Sequence, residues 1–207
     1  MKKIVSLSLL VLIAFVFAGC GPTYTLKKDM QGEFFVTWLE NNKLVTVNQM
    51  DWGDMCAFNM IRYENKTTTY AGVKILYNYP DKGININIGG FNLTETIFGI
   101  NKKNGVLLSV NGKEAFPMDY YTVPYHISSR SYSTNGGGQL NHSECVECKL
   151  SMEQIAALTK ARTITVTLMG TDSDPAKEQT KLVKFNFAPE NFVIISKFYS
   201  EELKNKS

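Results

Sequence analysis

Apolar and polar side chains alternate along most of the chain from about residue 33, in short runs separated by turn residues. Alternation with a period of two is typical of half-buried β-strands. The first two runs, 33–39 and 44–47, flank Asn41-Asn42, and asparagine tolerates the left-handed conformation of a tight turn. We expect these two strands to pair with each other as a hairpin.

Further runs of the same kind follow along the chain. They lie at residues 55–63, 67–78, 84–88, 163–168 and 183–187. Asn111-Gly112 readily supplies two consecutive residues with positive φ, which a type I′ turn requires. We therefore expect an antiparallel meander across residues 92–116.

Two segments near the C-terminus carry the signals of helices. Ser151 and Gln154 match a capping box, which predicts a helix from about 152 to 161. Pro189 is well placed as the first residue of a second helix, which we expect to cover the sheet. The pattern as a whole predicts an α+β fold, with a mainly antiparallel β-sheet or sandwich and two helices near the C-terminus.

The N-terminus has the layout of an export signal. Lys2 and Lys3 precede an uncharged apolar stretch, residues 4–18, which small and then polar residues follow. A membrane-spanning helix requires about 20 apolar residues, and this stretch is shorter. We therefore expect it to be removed as a signal peptide rather than retained as an anchor.

The end of this stretch, Phe17-Ala18-Gly19-Cys20, resembles the lipobox of bacterial lipoproteins, in which an aliphatic residue and two small residues precede a cysteine. Phe17 departs from the aliphatic preference. The resemblance implies that residues 1–19 are cleaved and that Cys20 receives a diacylglyceryl group and often an N-acyl chain such as palmitate. Several acyl chains make anchoring in a bilayer effectively permanent.

The resemblance also has implications for location and domain organisation. Gram-negative lipoproteins kept in the inner membrane commonly carry Asp after the lipidated cysteine, whereas this chain has Gly21. The resemblance therefore implies the outer membrane if the cell has one. We assign residues 1–19 to the signal peptide, 20–31 to the lipidated cysteine and a short tether, and 32–207 to a single β-rich domain.

The charge of the chain argues against nucleic acid as a partner. Loss of the signal removes Lys2 and Lys3, so the formal net charge of +3 falls by two. The mature region has no basic stripe that could neutralise a phosphate backbone. The partners we expect are the membrane, through the lipid at Cys20, and an envelope protein or a small ligand.

The polar stretch Ser128–Lys149 is the most unusual segment of the chain, and we predict that it forms a long loop. It contains Cys145 and Cys148, and once Cys20 is acylated only these and Cys56 remain as thiols. Disulfides persist outside the cytoplasm. We expect a bridge from Cys56 to Cys145 or Cys148, with a local Cys145–Cys148 bridge as the alternative.

Two chemical alternatives use the same segment. His142, Cys145 and Cys148, with Cys56 as a fourth ligand, have the nitrogen and sulfur donors of a tetrahedral zinc site. Cys145 and Cys148 also have the C-x-x-C spacing of thiol-redox proteins, although two neighbouring glutamates oppose thiolate formation. A thiol-redox or metal-binding protein is therefore the alternative hypothesis, whereas the leading one requires no cofactor.

The remaining ionisable candidates have ordinary structural explanations. The chain's two histidines, His126 and His142, lie in no nucleophile motif, and we expect His126 to pack in a strand. The acidic segments 51–54 and 172–174 lack the rest of a calcium-binding EF-hand loop. They are more simply read as turns.

Three tyrosines close together in sequence, Tyr120, Tyr121 and Tyr125, are candidates for lining a ligand groove. Aromatic residues in strands more often pack in a core. A ligand groove and core packing are therefore the two interpretations of these tyrosines. Because no catalytic motif is present, we expect a membrane-anchored envelope lipoprotein that acts as a non-catalytic binding or interaction module rather than as an enzyme.

Overall fold

The structure, a computed structural model, describes residues 22–47, 54–80, 97–132, 138–171 and 180–204. These residues form eleven strands, two α-helices and a C-terminal π-helical turn. The elements are β1 (Thr25–Gln31), β2 (Phe34–Glu40), β3 (Val45–Thr46), β4 (Met55–Glu64), β5 (Thr69–Pro80), β6 (Val106–Val110), β7 (Phe116–Pro117), β8 (Tyr125–Tyr132), β9 (Gly138–Leu150), α1 (Met152–Thr159), β10 (Ile164–Thr171), β11 (Thr180–Asn186), α2 (Pro189–Phe198) and the turn Tyr199–Lys204.

The strands form two antiparallel sheets. The six-stranded sheet has the order β1-β2-β4-β5-β9-β8, and the five-stranded sheet has the order β3-β11-β10-β6-β7. The pairing of β4 with β5 is the predicted hairpin of the runs 55–63 and 67–78. The turn Asn111-Gly112 also forms as predicted, with φ of 54° and 69°, and returns the chain from β6 to β7.

One hydrophobic core lies between the sheets and under the helices. The ring of Phe58 in β4 is 5.0 Å from that of Phe187, next to β11, and the ring of Tyr77 in β5 is 5.8 Å from that of Phe185. Ile155 of α1 and Ile195 of α2 belong to the same core. The predicted α+β fold, with antiparallel sheets and two helices near the C-terminus, is confirmed.

Both helices begin where local sequence signals place them. The hydroxyl of Ser151 accepts a hydrogen bond from the Gln154 N–H at 3.2 Å, and the Gln154 side chain accepts one from the Ser151 N–H at 2.7 Å. This capping box satisfies two backbone donors that a helix otherwise leaves free. Pro189 opens α2, where its missing N–H costs nothing.

The C-terminal turn is held against the six-stranded sheet by charge. The buried guanidinium of Arg62 in β4 lies 4.0 Å from one carboxylate oxygen of Glu202, and the ammonium of Lys28 in β1 lies 3.7 Å from the other. Tyr24, just before β1, donates a hydrogen bond to Glu201 at 2.8 Å. The first and last segments of the described chain are therefore packed together.

The predicted hairpin between the runs 33–39 and 44–47 is wrong. The turn exists, because Asn41 has a φ of 61°, but β2 pairs with β1 and β4, whereas β3 pairs with β11 of the other sheet. The reason is the next residue, Asn42, whose buried amide donates to the Phe58 carbonyl and accepts from Asn191 of α2, at 2.6 and 2.7 Å. These hydrogen bonds hold the chain where it passes from β2 in the six-stranded sheet to β3 in the five-stranded sheet.

The second half of the predicted tether is a strand. Thr25–Gln31 forms β1, which pairs with β2 from Thr25 opposite Glu40 to Gln31 opposite Phe34. This segment joins the sheet because the side chain of Leu26 packs against the core. Only the residues before Thr25 separate the folded chain from Cys20.

The predicted loop Ser128–Lys149 is also wrong, because most of it forms β8 and β9. β9 lies between β5 and β8 and pairs with both along most of its length. Its polar composition suggested a loop, but polar side chains are tolerated in a sheet when buried partners satisfy them. The predicted strand at 84–88 lies outside the described residues.

Glu144 is the clearest of these buried polar residues on β9. Its carboxylate accepts hydrogen bonds from the Tyr79 hydroxyl at 2.6 Å and from the backbone N–H groups of Gly99 and Ile100 at 2.7 and 2.5 Å. Residues 99–101 in turn bond to β10, since Ile100 forms a bridge with Gly170. Glu144 therefore connects the six-stranded sheet to the five-stranded sheet.

We predict that Glu144→Gln lowers the free energy of unfolding by about 2–3 kcal/mol, because the amide presents a donor to a backbone donor and loses charge-assisted bonds. Denaturant unfolding of purified residues 20–207 with Cys20→Ser measures this. The matched control is Glu114→Gln at an exposed position, with an expected change below about 0.5 kcal/mol. Equal stability of the two variants would show that Glu144 has no such role.

Candidate functional site

A groove of about 360 Å³ crosses the face of the six-stranded sheet that points away from the core. We call it the outer groove. Its walls come from five adjacent strands, because alternate residues of each strand point to this face. The groove is lined by Trp38, Glu40, Asn41, Lys43, Met55, Cys56, Ala57, Asn59, Lys74, Leu76, Asn78, Tyr125, Ile127, Ser143 and Cys145.

The centre of the outer groove is apolar. Ala57, Leu76 and Cys145 lie on the three neighbouring strands β4, β5 and β9, with Leu76 directly opposite both others in the sheet register. The rim includes Met55 and Ile127, whose side chains are 45% and 57% exposed. Volume and lining are in the range of small-molecule sites, which are mostly apolar with a few polar groups.

Polar groups are placed along the groove rather than at its centre. The Ser143 hydroxyl donates to the Asn78 side chain at 2.7 Å. The Lys74 ammonium lies 3.8 Å from the carboxylate of Glu147. Lys43 is exposed and has no ion pair within the described ranges. These groups could orient a polar end of a ligand whose apolar part fills the centre.

An aromatic cluster adjoins the groove on the same face. It consists of Phe34, Val36, Trp38, Ile61, Tyr63, Tyr70 and Tyr121. The hydroxyls of Tyr70 and Tyr121 are hydrogen-bonded to each other, and the Tyr63 hydroxyl donates a hydrogen bond to the Glu147 carboxylate. Burial and this hydrogen bond raise the pKa of Tyr63. Trp38 belongs to both the cluster and the outer groove, so the two features form one continuous surface.

The three tyrosines that were candidates for lining a groove occupy different environments. Tyr125 lines the outer groove and is 45% exposed, and Tyr121 stacks in the aromatic cluster. Tyr120 packs against the core, and its hydroxyl donates to the Asn101 carbonyl at 2.9 Å. Of the three candidates, Tyr125 alone lines the outer groove, and the sequence pattern did not single out the lining residues on β2, β4 and β5.

The predicted disulfide is absent, because Cys56, Cys145 and Cys148 are all free and buried. Cys56 lies on β4 and the other two on β9, and β5 separates these strands. Two strand spacings amount to about 10 Å, whereas bridged cysteines have Cα atoms within about 7 Å. Cys145 and Cys148 are three residues apart on one strand, so their side chains point to opposite faces.

The predicted metal set, His142, Cys145 and Cys148, is not brought together either. His142 and Cys148 are six residues apart on β9, roughly 20 Å along a strand, and Cys145 points to the other face. No group of three metal-ligating side chains occurs in the part of the chain that the structure describes.

The environment of the thiols also opposes redox chemistry. Burial raises the pKa of the Cys148 thiol to about 12, and nearby acidic groups add to the effect. Burial likewise raises the pKa of Cys145, although a hydrogen bond with Tyr125 and the charge of Lys74 act in the opposite direction. A reactive cysteine requires a lowered pKa and access to solvent. Neither thiol meets these conditions.

Those of the remaining candidate residues that the structure describes have structural roles. His126 lies in β8, as expected, and its Nε2 is 2.9 Å from Nδ1 of the buried His142. Asp54 is buried and accepts a hydrogen bond from Tyr77 at 2.9 Å. The other residues of the acidic segment 51–54, and all of 172–174, lie outside the described residues.

Comparison with protein-family models, with curated proteins and with solved structures finds no match. Among the described residues, no helix is both long and apolar enough to span a bilayer.

We predict that all three internal thiols are unreactive towards an aromatic disulfide reagent in the native protein at pH 8, because they are buried and protonated. Three thiols per chain react once the protein is denatured. The measurement uses the mature chain with Cys20→Ser, so that no other thiol is present. Fewer than three thiols after denaturation would reveal a disulfide, and rapid reaction in the native state would restore the redox alternative.

Proposed function

We propose that this protein is a lipid-anchored component of the bacterial cell envelope that binds another envelope component through the outer face of its six-stranded sheet, and that it has no catalytic role. The observation that carries the proposal is the outer groove with the adjoining aromatic cluster. Exposed apolar side chains are normal when scattered, but contiguous patches mark binding sites. Here Met55, Tyr125 and Ile127 are exposed around a single groove.

Attachment to a membrane is the second element of the proposal. It rests on the resemblance of Phe17–Cys20 to a lipobox, as described above. Outer-membrane sorting follows from Gly21 if the cell has two membranes. A lipid anchor confines the outer groove to the vicinity of a bilayer, which raises the local concentration of other envelope components.

The non-catalytic part of the proposal draws on the chemistry of the groove. The thiol of Cys145 is buried with a raised pKa, and Lys74 is neutralised by Glu147. Neither histidine lines the groove. A general base or an activated nucleophile requires a titratable group poised near neutral pH and within reach of a substrate. The groove offers hydrogen bonding and apolar contact instead.

A photoreactive amino acid at position 127 tests binding in living cells. We expect illumination to link it to one envelope component, because the Ile127 side chain lies on the rim of the outer groove. The matched control is position 182 on the five-stranded sheet, where the Leu182 side chain has similar exposure, 52%. The cross-linked component is then identified by mass and tested for binding to the purified protein and to its Ile127→Glu variant.

Two outcomes would contradict the proposal. Cross-linking that is equally strong from positions 127 and 182, or absent from both, would remove the outer groove as the binding surface. Cells that carry Cys20→Ser provide the second arm. The variant is expected in the soluble fraction, whereas Cys145→Ser stays with the membrane, and a Cys20→Ser protein that remains membrane-bound would eliminate the lipid anchor.

A further inference from the structure

We propose that the occupant of the outer groove is the acyl chain of an anionic lipid from the membrane in which the protein is anchored. This inference rests on the proposed function and names the ligand for the same groove. Three features of the structure carry it: the short distance between the groove and the anchor, the apolar centre of the groove, and the position of its lysines.

The distance follows from the start of β1. Thr25 is the first residue of β1 and lies opposite Glu40, which lines the groove. Four residues, 21–24, separate Thr25 from Cys20, and the five steps from one Cα atom to the next span at most about 17 Å in an extended chain. A bilayer that holds the acyl groups of Cys20 therefore lies within about 20 Å of one end of the groove, and the nearest abundant apolar ligand is membrane lipid.

The apolar centre fits a flexible hydrocarbon chain. Ala57, Leu76 and Cys145 lie side by side across β4, β5 and β9, and Tyr125 and Ile127 of β8 extend the same strip to the edge of the sheet. Each CH₂ of an acyl chain that leaves water for an apolar surface adds to the affinity. A strip of this kind offers contact to many methylenes, and the polar side chains of Ser143 and Asn78 beside it are hydrogen-bonded to each other.

The lysines are placed for an anionic headgroup. Lys43 lines the same end of the groove as Glu40, the end nearest the anchor, and it is exposed without an ion pair among the described residues. Lys74 lies further along the groove and is paired with Glu147. The one acidic lining residue, Glu40, is 3.9 Å from the ammonium of Lys27 and is thereby partly neutralised. Lysines near a bilayer attract anionic lipids.

Fluorescence of Trp38 reads the occupancy of the groove directly. The chain has two tryptophans, and Trp52→Phe in the mature chain with Cys20→Ser leaves Trp38, a groove residue, as the sole reporter. Bromine atoms quench tryptophan on close contact. We expect vesicles of phosphatidylglycerol with acyl chains brominated at mid-chain to quench Trp38 saturably, and vesicles of brominated phosphatidylcholine to quench it several-fold less.

Variants in the same background locate the bound chain. Ile127→Glu places a charge beside the acyl chain and is expected to weaken the binding measured by quenching roughly tenfold. Leu182→Glu, an equally exposed residue on the other sheet, should leave binding unchanged. Lys43→Gln should reduce the preference for phosphatidylglycerol while quenching by phosphatidylcholine stays the same.

Three results would overturn the inference. Absence of quenching by either lipid excludes an acyl chain in the groove, and equal quenching by both lipids excludes selection of an anionic headgroup. Quenching that Ile127→Glu leaves intact places the lipid elsewhere. In each case, capture of a protein from position 127 in cells would still support the proposed function, so failure of the inference and failure of the proposal are distinguishable.

Discussion

The carboxylate of Glu144 is the interaction on which the rest of the structure depends. It points into the core from β9 and accepts hydrogen bonds from Tyr79 of β5 and from the backbone of Gly99 and Ile100, which bridge to the five-stranded sheet. A buried carboxylate without such partners would be very costly. Glu144 therefore specifies one register for β9, since a slip of one residue would exchange its two faces.

That register also determines the outer face. Because Glu144 points inwards, Ser143 and Cys145 point outwards, where they line the groove beside Asn78 and Leu76 of β5. The same alternation buries Cys148 in the core, and this burial raises the pKa of its thiol. The cysteines and the polar residues of β9 thus have one structural explanation. They shape and support the outer groove, whereas a disulfide or a metal site would require the cysteines to lie close together on one face.

The predictions succeeded where the signal was local. Ser151 and Gln154 cap a helix within four residues, and Asn111-Gly112 makes its own turn. They failed where the conformation depends on residues far away in the sequence. The predicted hairpin at Asn41 is wrong because Asn42 bonds to Asn191, which lies far along the chain. The predicted loop is wrong because the buried polar residues of β9 have their hydrogen-bond partners in other segments. The outer groove requires five strands in register, which no single run of residues reveals.

The proposed function requires that the outer groove is occupied in the envelope. Methionine oxidation, compared between intact cells and the purified protein, measures this occupancy. Met55 on the groove rim and Met30 on β1 are 45% and 59% exposed, and Met30 lies outside the groove. We expect mild peroxide to oxidise both methionines at similar rates in the purified protein, whereas in cells Met55 is protected and Met30 is not. Equal oxidation of Met55 and Met30 in cells would contradict it.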